Sequence, residues 1–251
     1  MKKITYDTHK ADEVFEIELN TDGIFKKSHS SKQINECKFP FDIDFCVNKK
    51  YLSDREKDTF KGSGIYLIEF KDELIYIGKF RPFYDGNIIK TRWRPHLETL
   101  TNRGSHVGGF EKKPPYKKID IFRELKGCEN SPLERRKRDT GTVTSKARIK
   151  FASNNWDIFG GDINKLRDSL KEFTFYYFQL NEVFSFKDSS GGIICPEKEL
   201  YGDLTSLIEE YLLIKYSTKC NSGCNGLTKI SEIKITDIQN NINDFVDFLS
   251  R

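Results

Sequence analysis

The chain has 251 residues and a net charge of +4, with 37% hydrophobic and 13% aromatic residues. No apolar run reaches the roughly 18 residues that a membrane-spanning helix needs, so we expect no membrane partner. The lysines at the N-terminus precede no apolar stretch, which predicts a cytoplasmic protein without a secretory signal. The six cysteines form no CxxC pair, so we expect reduced thiols, with a zinc site at Cys220 and Cys224 as the lesser alternative.

The positive charge is concentrated in one stretch of the chain. Residues 79–150 contain nineteen Lys/Arg and eight Asp/Glu, a net charge of +11, which leaves −7 for the rest of the chain. Such an asymmetry is typical of proteins that bind a polyanion. A solvated charged surface has the same composition, so charge alone does not establish a partner.

The first 60 residues are predicted to form an N-terminal extension that packs on the rest of the fold. Within it, the alternation over residues 14–19 (VFEIEL) predicts a strand, and residues 39–46 predict a second extended segment. The glycines of residues 61–64 (KGSG) then interrupt the chain.

Two apolar runs, GIYLIEF and LIYIGKF, come next, joined by the charged residues KDE. This arrangement predicts a β-hairpin with a three-residue loop, in which Phe70 lies opposite Leu74. In that register Tyr66 and Tyr76 share one face with Leu74. Because both faces are largely apolar, we expect the hairpin to be central and covered on both sides.

After the hairpin, RWRPHLETL predicts a helix with Pro95 in its first turn. Residues 101–172 form a long, polar and basic insertion, and residues 173–180 (FTFYYFQL) predict a strand. Residues 197–216 and 235–249 predict helices. The first of these helices has apolar members at Leu200, Leu204, Leu207, Ile208, Tyr211, Leu212 and Ile214. This order of elements predicts an α+β fold.

Five features that suit phosphodiester chemistry follow one another along the chain. They are Gly64-Ile65-Tyr66, then Tyr76-Ile77-Gly78, then Arg92 with His96 four residues later, then Glu209 on a helix, and Asn221 twelve residues beyond it. This constellation resembles the GIY-YIG nuclease superfamily over residues 62–100 and 173–225. The resemblance implies a GIY-YIG core in residues 61–226, with a small central sheet flanked by helices, and a C-terminal helix in residues 227–251.

The resemblance also implies roles for these residues in metal-dependent DNA hydrolysis. Glu209 would hold Mg²⁺ or Mn²⁺, and Arg92 would bind a non-bridging phosphate oxygen, since a guanidinium matches phosphate geometry. Tyr66 would orient or deprotonate the attacking water, with His96 as the group that takes its proton. Tyr76 would hold the water or the phosphate.

Lys79, which follows the second triplet, is a secondary catalytic candidate, and Asn221 would tie the end of the helix region to the site. Three neighbours compete with these assignments. Glu210 is the alternative to Glu209, and Arg94 is the alternative to Arg92. Asn225 is the alternative to Asn221, because the proline that usually precedes the family's asparagine is absent before Asn221. The spacing to Asn221 and the apolar residue just before it favour Glu209.

The basic insertion is the candidate DNA-recognition region. Its candidate DNA-binding residues, together with one from the preceding helix, are Arg94, Arg135, Arg136, Lys137, Arg138, Lys146 and Arg148. Repair and homing members of the superfamily usually carry a separate binding domain, whereas only 25 residues follow Gly226 here. The resemblance therefore implies a type II restriction endonuclease that cuts double-stranded DNA as a homodimer or homotetramer. A structure-specific or mobile-element nuclease and a non-catalytic DNA-binding protein remain open alternatives.

Overall fold

The structure is a computed structural model that describes residues 4–19, 45–49, 60–81, 87–101, 146–159, 163–180, 186–187, 193–194, 198–221 and 233–249. The chain divides into two compact units. The first comprises Met1–Val14, Tyr51–Arg92 and Glu172–Arg251, and the second comprises Phe15–Lys50 and Trp93–Lys171. Both units are assembled from separate segments.

The fold is α+β, as predicted. The strands are β1 (Asp7–Lys10), β2 (Phe15–Leu19), β3 (Phe45–Lys49), β4 (Gly64–Phe70), β5 (Glu73–Phe80), β6 (Phe173–Gln179), β7 (Phe186–Lys187) and β8 (Ile193–Ile194). The α-helices are α1 (Ala11–Val14), α2 (Arg94–Leu100), α3 (Lys146–Asn154), α4 (Trp156–Phe159), α5 (Ile163–Ser169), α6 (Lys198–Lys215) and α7 (Ile235–Leu249). The predicted hairpin, the strands near residues 14–19 and 173–180, and the helices near residues 197–216 and 235–249 are confirmed.

A four-stranded antiparallel sheet forms the centre of the first unit, in the spatial order β1-β6-β4-β5. β4 lies between two partners, and each of its residues is buried. β5 is an edge strand, so the expectation of a wholly central hairpin is correct for β4 and wrong for β5. The predicted N-terminal extension contributes β1 to the sheet itself, where Asp7 pairs with Tyr177.

The hairpin closes through a two-residue turn instead of the predicted three-residue loop. Lys71 and Asp72 have φ angles of 52° and 60°. Two consecutive residues in the left-handed region are typical of a type I′ turn, whose twist matches that of the flanking strands. Phe70 therefore pairs with Glu73, and the predicted pairing of Phe70 with Leu74 is wrong.

A register shift between Ile68 and Glu69 separates the tip of the hairpin from the rest of it. Beyond this irregularity Tyr66 pairs with Gly78, which is the predicted register. The extra residue compensates for the shorter turn, as β-bulges do. Leu74, on the tip side, joins the face opposite to that of the tyrosines.

The helices α6 and α7 cover that opposite face. The buried cluster that they form with the sheet consists of Ile4, Ile65, Leu67, Leu74, Ile77, Phe178, Leu180, Ile208, Leu212, Tyr216, Ile238, Ile242 and Val246. The helical members recur every four residues, so each helix turns one apolar stripe towards the sheet. Burial of an aliphatic side chain of this size stabilises the fold by about 1.5–3 kcal/mol. Two predicted apolar members of α6, Leu207 and Ile214, are instead 47% and 64% exposed.

The second unit contains the antiparallel pair of β2 and β3 and the helices α2 to α5. A π-helical turn, Ile89–Trp93, leads into α2, which carries a proline in its first turn as predicted. The Arg167 Nε atom on α5 donates a hydrogen bond of 2.9 Å to the Ile17 carbonyl on β2. The described part of the basic insertion is thus helical. None of the helices that the structure describes is long and apolar enough to cross a membrane.

Candidate functional site

The two triplet tyrosines lie side by side on one face of the sheet. The ring centroids of Tyr66 and Tyr76 are 5.9 Å apart, with 29° between the ring planes. The Tyr66 side chain is 2% exposed, and Tyr76 is partly exposed. The pairing of Tyr66 with Gly78 and of Ile68 with Tyr76 brings both rings to this face, because alternate residues of a strand share a face.

The glycine of each triplet is required by a ring that packs against it. A Cβ atom on Gly78 would lie 2.6 Å from the Tyr66 hydroxyl and 2.7 Å from a ring carbon of Tyr76. A Cβ atom on Gly64 would lie 2.7 Å from a ring carbon of Tyr177. Only glycine lets the aromatic rings cross these strands so closely. The packing of aromatic rings therefore explains why both triplets contain a glycine in this chain.

Lys79 and Glu209 meet on the opposite face, where α6 packs against the hairpin. The Lys79 Nζ atom lies 2.9 Å from the Glu209 Oε2 atom, and the two side chains are 36% and 18% exposed. Ile208, which precedes Glu209, is fully buried in the core, and Glu210 is exposed. The phase of α6 thus directs Glu209, and not Glu210, towards β5.

Asn221 closes the outer edge of β5. Its Oδ1 atom accepts a hydrogen bond of 2.9 Å from the Ile77 backbone N–H, and its Nδ2 atom donates one of 2.7 Å to the Ile77 carbonyl. The Cys220 backbone N–H donates to the Ile75 carbonyl at 2.9 Å. The segment after α6 therefore satisfies edge groups that a neighbouring strand would otherwise take.

Cys220 is buried. Its proposed zinc partner Cys224 and the alternative asparagine, Asn225, lie outside the described residues. The predicted DNA-binding residues Arg135, Arg136, Lys137 and Arg138 lie outside them as well.

Arg92 is an exposed residue of the π-helical turn and ends the first unit. His96, on α2, belongs to the second unit and is 6% exposed. The rival Arg94 makes an ion pair with Glu98 one helical turn later, at 3.0 Å. Of the predicted DNA-binding residues of the insertion, Lys146 begins α3 and Arg148 is partly buried on the same helix.

Sequence reasoning missed three residues that surround Lys79. The Lys79 Nζ atom donates to the Ser206 hydroxyl at 3.0 Å. Arg81 donates to the same hydroxyl through Nη2, and its Nε atom lies 3.3 Å from the Thr205 hydroxyl. The alternation of Lys79 and Arg81 indicates one shared face, but nothing in the sequence pairs that face with α6.

A second polar pair lies near the hairpin tip. The Tyr176 hydroxyl donates a hydrogen bond of 2.6 Å to the Glu69 carboxylate. Burial raises the pKa of Glu69, and the hydrogen bond from Tyr176 opposes part of that rise. Burial, together with the neighbouring Glu69, raises the pKa of the Tyr176 hydroxyl, so this hydroxyl stays a donor.

Five predicted site residues, Tyr66, Tyr76, Lys79, Glu209 and Asn221, lie on β5 or in direct contact with it. They do not share one face of the sheet, since the two tyrosine rings lie on the face opposite to Lys79 and Glu209. Within the described ranges, no three His, Cys, Asp or Glu side chains form a cluster that could hold a metal ion by themselves. A metal ion that is held by one carboxylate, with water as its other ligands, needs no such cluster. Comparisons with models of protein families, with curated proteins and with solved structures found no match.

Proposed function

We propose that this chain is a metal-dependent endonuclease of the GIY-YIG type that hydrolyses phosphodiester bonds of double-stranded DNA, as type II restriction enzymes do. The observation that carries the proposal is the ion pair between Glu209 and Lys79. It joins the helical carboxylate to the strand that bears the second triplet. In the proposed site, the predicted acid and the predicted triplets belong to one compact unit.

Hydrolysis of a phosphodiester needs an oriented water molecule, balanced charge on the phosphate and a stabilised leaving oxygen. Tyr66 and Tyr76 are left out of the proposed metal site, because their rings lie on the face of the sheet opposite to Lys79 and Glu209. The Lys79 ammonium balances negative charge that develops on the phosphate. Asn221 keeps the end of α6 in register with β5 through its two hydrogen bonds to Ile77.

The chemistry of the acid suits a hard divalent cation. Lys79 contacts the Oε2 oxygen of Glu209, and the Glu209 side chain is 18% exposed, so solvent and ions reach the carboxylate. One carboxylate, with water and phosphate completing the coordination shell, is a usual arrangement for Mg²⁺. Mg²⁺ or Mn²⁺ bound there would supply Lewis-acid stabilisation of the phosphate charge.

Arg92 supports phosphate binding, since it is exposed at the end of the first unit and a guanidinium can bind two phosphate oxygens. The excess of +11 over residues 79–150 supports a DNA duplex as the partner. We propose a homodimer or homotetramer in the cytoplasm, because one site cuts one strand and a symmetric enzyme cuts both. His96 is left out of the proposed site because it belongs to the second unit.

The first test is to incubate the purified protein with phage and plasmid DNA, in Mg²⁺ and in EDTA, and to separate the products by size. Discrete fragments that require Mg²⁺ support a sequence-specific endonuclease. Cutting that depends on branches, or that leaves a smear, indicates a structure-specific or mobile-element nuclease. DNA that is bound but intact under all conditions overturns the proposed activity.

The second test uses the two adjacent glutamates as a matched pair. Glu209→Gln should lower the cleavage rate by roughly 10³-fold or more, since Lewis-acid stabilisation amounts to several kcal/mol and each 1.4 kcal/mol is a factor of ten. Glu210→Gln, which changes an exposed neighbour, should cleave at the rate of the unchanged protein. DNA binding should survive both substitutions. The reverse result would move the metal ligand to Glu210.

A further inference from the structure

Two hydrogen-bond donors stand next to each other just beyond the second triplet. The Lys79 Nζ atom and the Ser206 Oγ atom are 3.0 Å apart. The ammonium has three N–H groups, of which one points to Ser206 and one to Glu209. Among the residues that the structure describes, none accepts the third N–H group of Lys79.

The Ser206 hydroxyl is oriented by its two cationic neighbours. A hydroxyl oxygen has two lone pairs and one proton to donate. Both lone pairs of Ser206 face donors, one from Lys79 and one from the Arg81 guanidinium. The hydroxyl proton must therefore point away from both cations, and no acceptor for it occurs in the described part of the chain.

Two contacts with α6 hold the Arg81 side chain in place beside the Ser206 hydroxyl. Its Nε atom lies 3.3 Å from the Thr205 hydroxyl, and its Nη2 atom donates to Ser206 on the same turn of α6. A guanidinium presents its donors in a rigid fork, so two contacts fix the plane of the group. Arg81 is thus a positioning residue for the Ser206 hydroxyl.

We propose that the Lys79 ammonium and the Ser206 hydroxyl form a subsite for a phosphate oxygen of the nucleic-acid backbone, with Arg81 orienting the hydroxyl. Lys79 is 36% exposed, so a ligand reaches this position from solvent. A phosphate offers two anionic oxygens that accept strong, charge-assisted hydrogen bonds. The subsite lies beside Glu209 and rests on the proposed nuclease function, to which it adds the Ser206 hydroxyl as a donor to the substrate phosphate and Arg81 as its positioning residue.

Inorganic phosphate is a probe for this subsite that does not depend on cleavage. A ligand that binds only the folded protein raises its melting temperature. The melting temperature of the full chain is measured in phosphate and in chloride at equal ionic strength, for the unchanged protein, Ser206→Ala and Ser206→Thr. We expect phosphate to raise the melting temperature of the unchanged protein and of Ser206→Thr, which keeps the hydroxyl. Ser206→Ala should lose most of this rise.

Thr236→Ala is the matched control, because it removes an exposed hydroxyl from α7. Its response to phosphate should equal that of the unchanged protein. If phosphate does not stabilise the unchanged protein, or if it stabilises Ser206→Ala equally, the subsite is overturned. If Arg81→Gln keeps the full response, the positioning role of Arg81 is overturned, since Ser206 would then be oriented without it.

A DNA-binding measurement separates the subsite from the proposed function. In a Glu209→Gln background, Ser206→Ala should weaken DNA binding roughly tenfold, the effect of one hydrogen bond to a charged group. The slope of affinity against salt should not change, because a neutral hydroxyl displaces no counterion. A phosphate response without DNA cleavage by the unchanged protein would keep the subsite and reject the nuclease. Cleavage without a phosphate response would keep the nuclease and reject the subsite.

Discussion

The two ends of the β4–β5 hairpin use their polar groups differently. At the tip, donors and acceptors are matched in pairs, Glu73 with Lys219 at 2.5 Å and Glu69 with Tyr176 at 2.6 Å. At the triplet end, Lys79 and Ser206 each keep a donor for which the described residues offer no acceptor. The tip is thus polar and closed, whereas the triplet end is polar and able to accept an anion.

The difference separates groups that maintain the fold from groups that bind a ligand. Matched pairs satisfy each other and leave little affinity for anything else. Adjacent donors without acceptors, at a partly exposed position, are the arrangement from which a binding site is built.

Gly78→Ala should have the largest effect on the fold. Its Cβ atom would lie 2.6 Å from the Tyr66 hydroxyl, so the ring has to move or the strands have to separate. We expect a loss of about 1–3 kcal/mol in the free energy of unfolding, as for other overpacked cores, measured in urea. In a Tyr66→Leu background the same change should cost clearly less. An equal cost in both backgrounds would show that the Tyr66 ring is not the obstacle.

Asn221→Ala should rank second. It removes both hydrogen bonds to Ile77 and leaves a backbone N–H and a carbonyl of β5 without these partners. Leaving partly buried polar groups unsatisfied costs about 1–3 kcal/mol, which urea unfolding measures. Asn240→Ala, on the exposed side of α7, is the control and should change the free energy by less than about 0.5 kcal/mol. Equal effects of the two substitutions would contradict the edge-sealing role of Asn221.

Glu69→Gln tests the closed tip through its pH dependence. Burial raises the pKa of Glu69 in the folded chain, so the folded state holds the proton to a higher pH than the unfolded state does. The stability that this group contributes is complete below the ordinary carboxyl pKa and is lost as the pH rises through the raised value. Glutamine has no proton to lose. The free energy of unfolding of Glu69→Gln, relative to the unchanged protein, should therefore rise as the pH increases above about 4.3, the ordinary glutamate pKa. A difference independent of pH would contradict the raised pKa.

The sequence predicted the local elements better than their assembly. The two apolar runs with a short charged link predicted the hairpin, and the spacing of Ile208 and Leu212 is sufficient to turn Glu209 inward, because both depend on neighbours in the sequence. The tip register was missed because Lys71 and Asp72 both adopt left-handed backbone conformations without the glycine that usually marks such a turn.

Contacts between distant segments were beyond local pattern reading. The pairing of β1 with β6 joins residues that are 170 positions apart, as Asp7 and Tyr177 are. The contact between Arg81 and Ser206 spans 125 positions, and no periodicity within either segment reports it. The contact between Arg81 and Ser206 exists only because α6 packs on the hairpin, so the predicted site contained Lys79 and Glu209 but not Arg81 and Ser206.

The smallest effect is expected from Lys219→Met, at the tip. Lys219 and its partner Glu73 are 57% and 34% exposed, and ion pairs between side chains this accessible typically contribute about 0.2–1 kcal/mol. Urea unfolding in low salt should show a small loss of stability that disappears in high salt, since exposed charges are screened. Lys79→Met, which leaves a less exposed carboxylate without its cation, should cost more and should keep part of this cost in high salt. If both substitutions lower the free energy of unfolding equally and salt screens both effects equally, the two ion pairs are equally strong. That result would contradict the expected difference between the two ends of the hairpin.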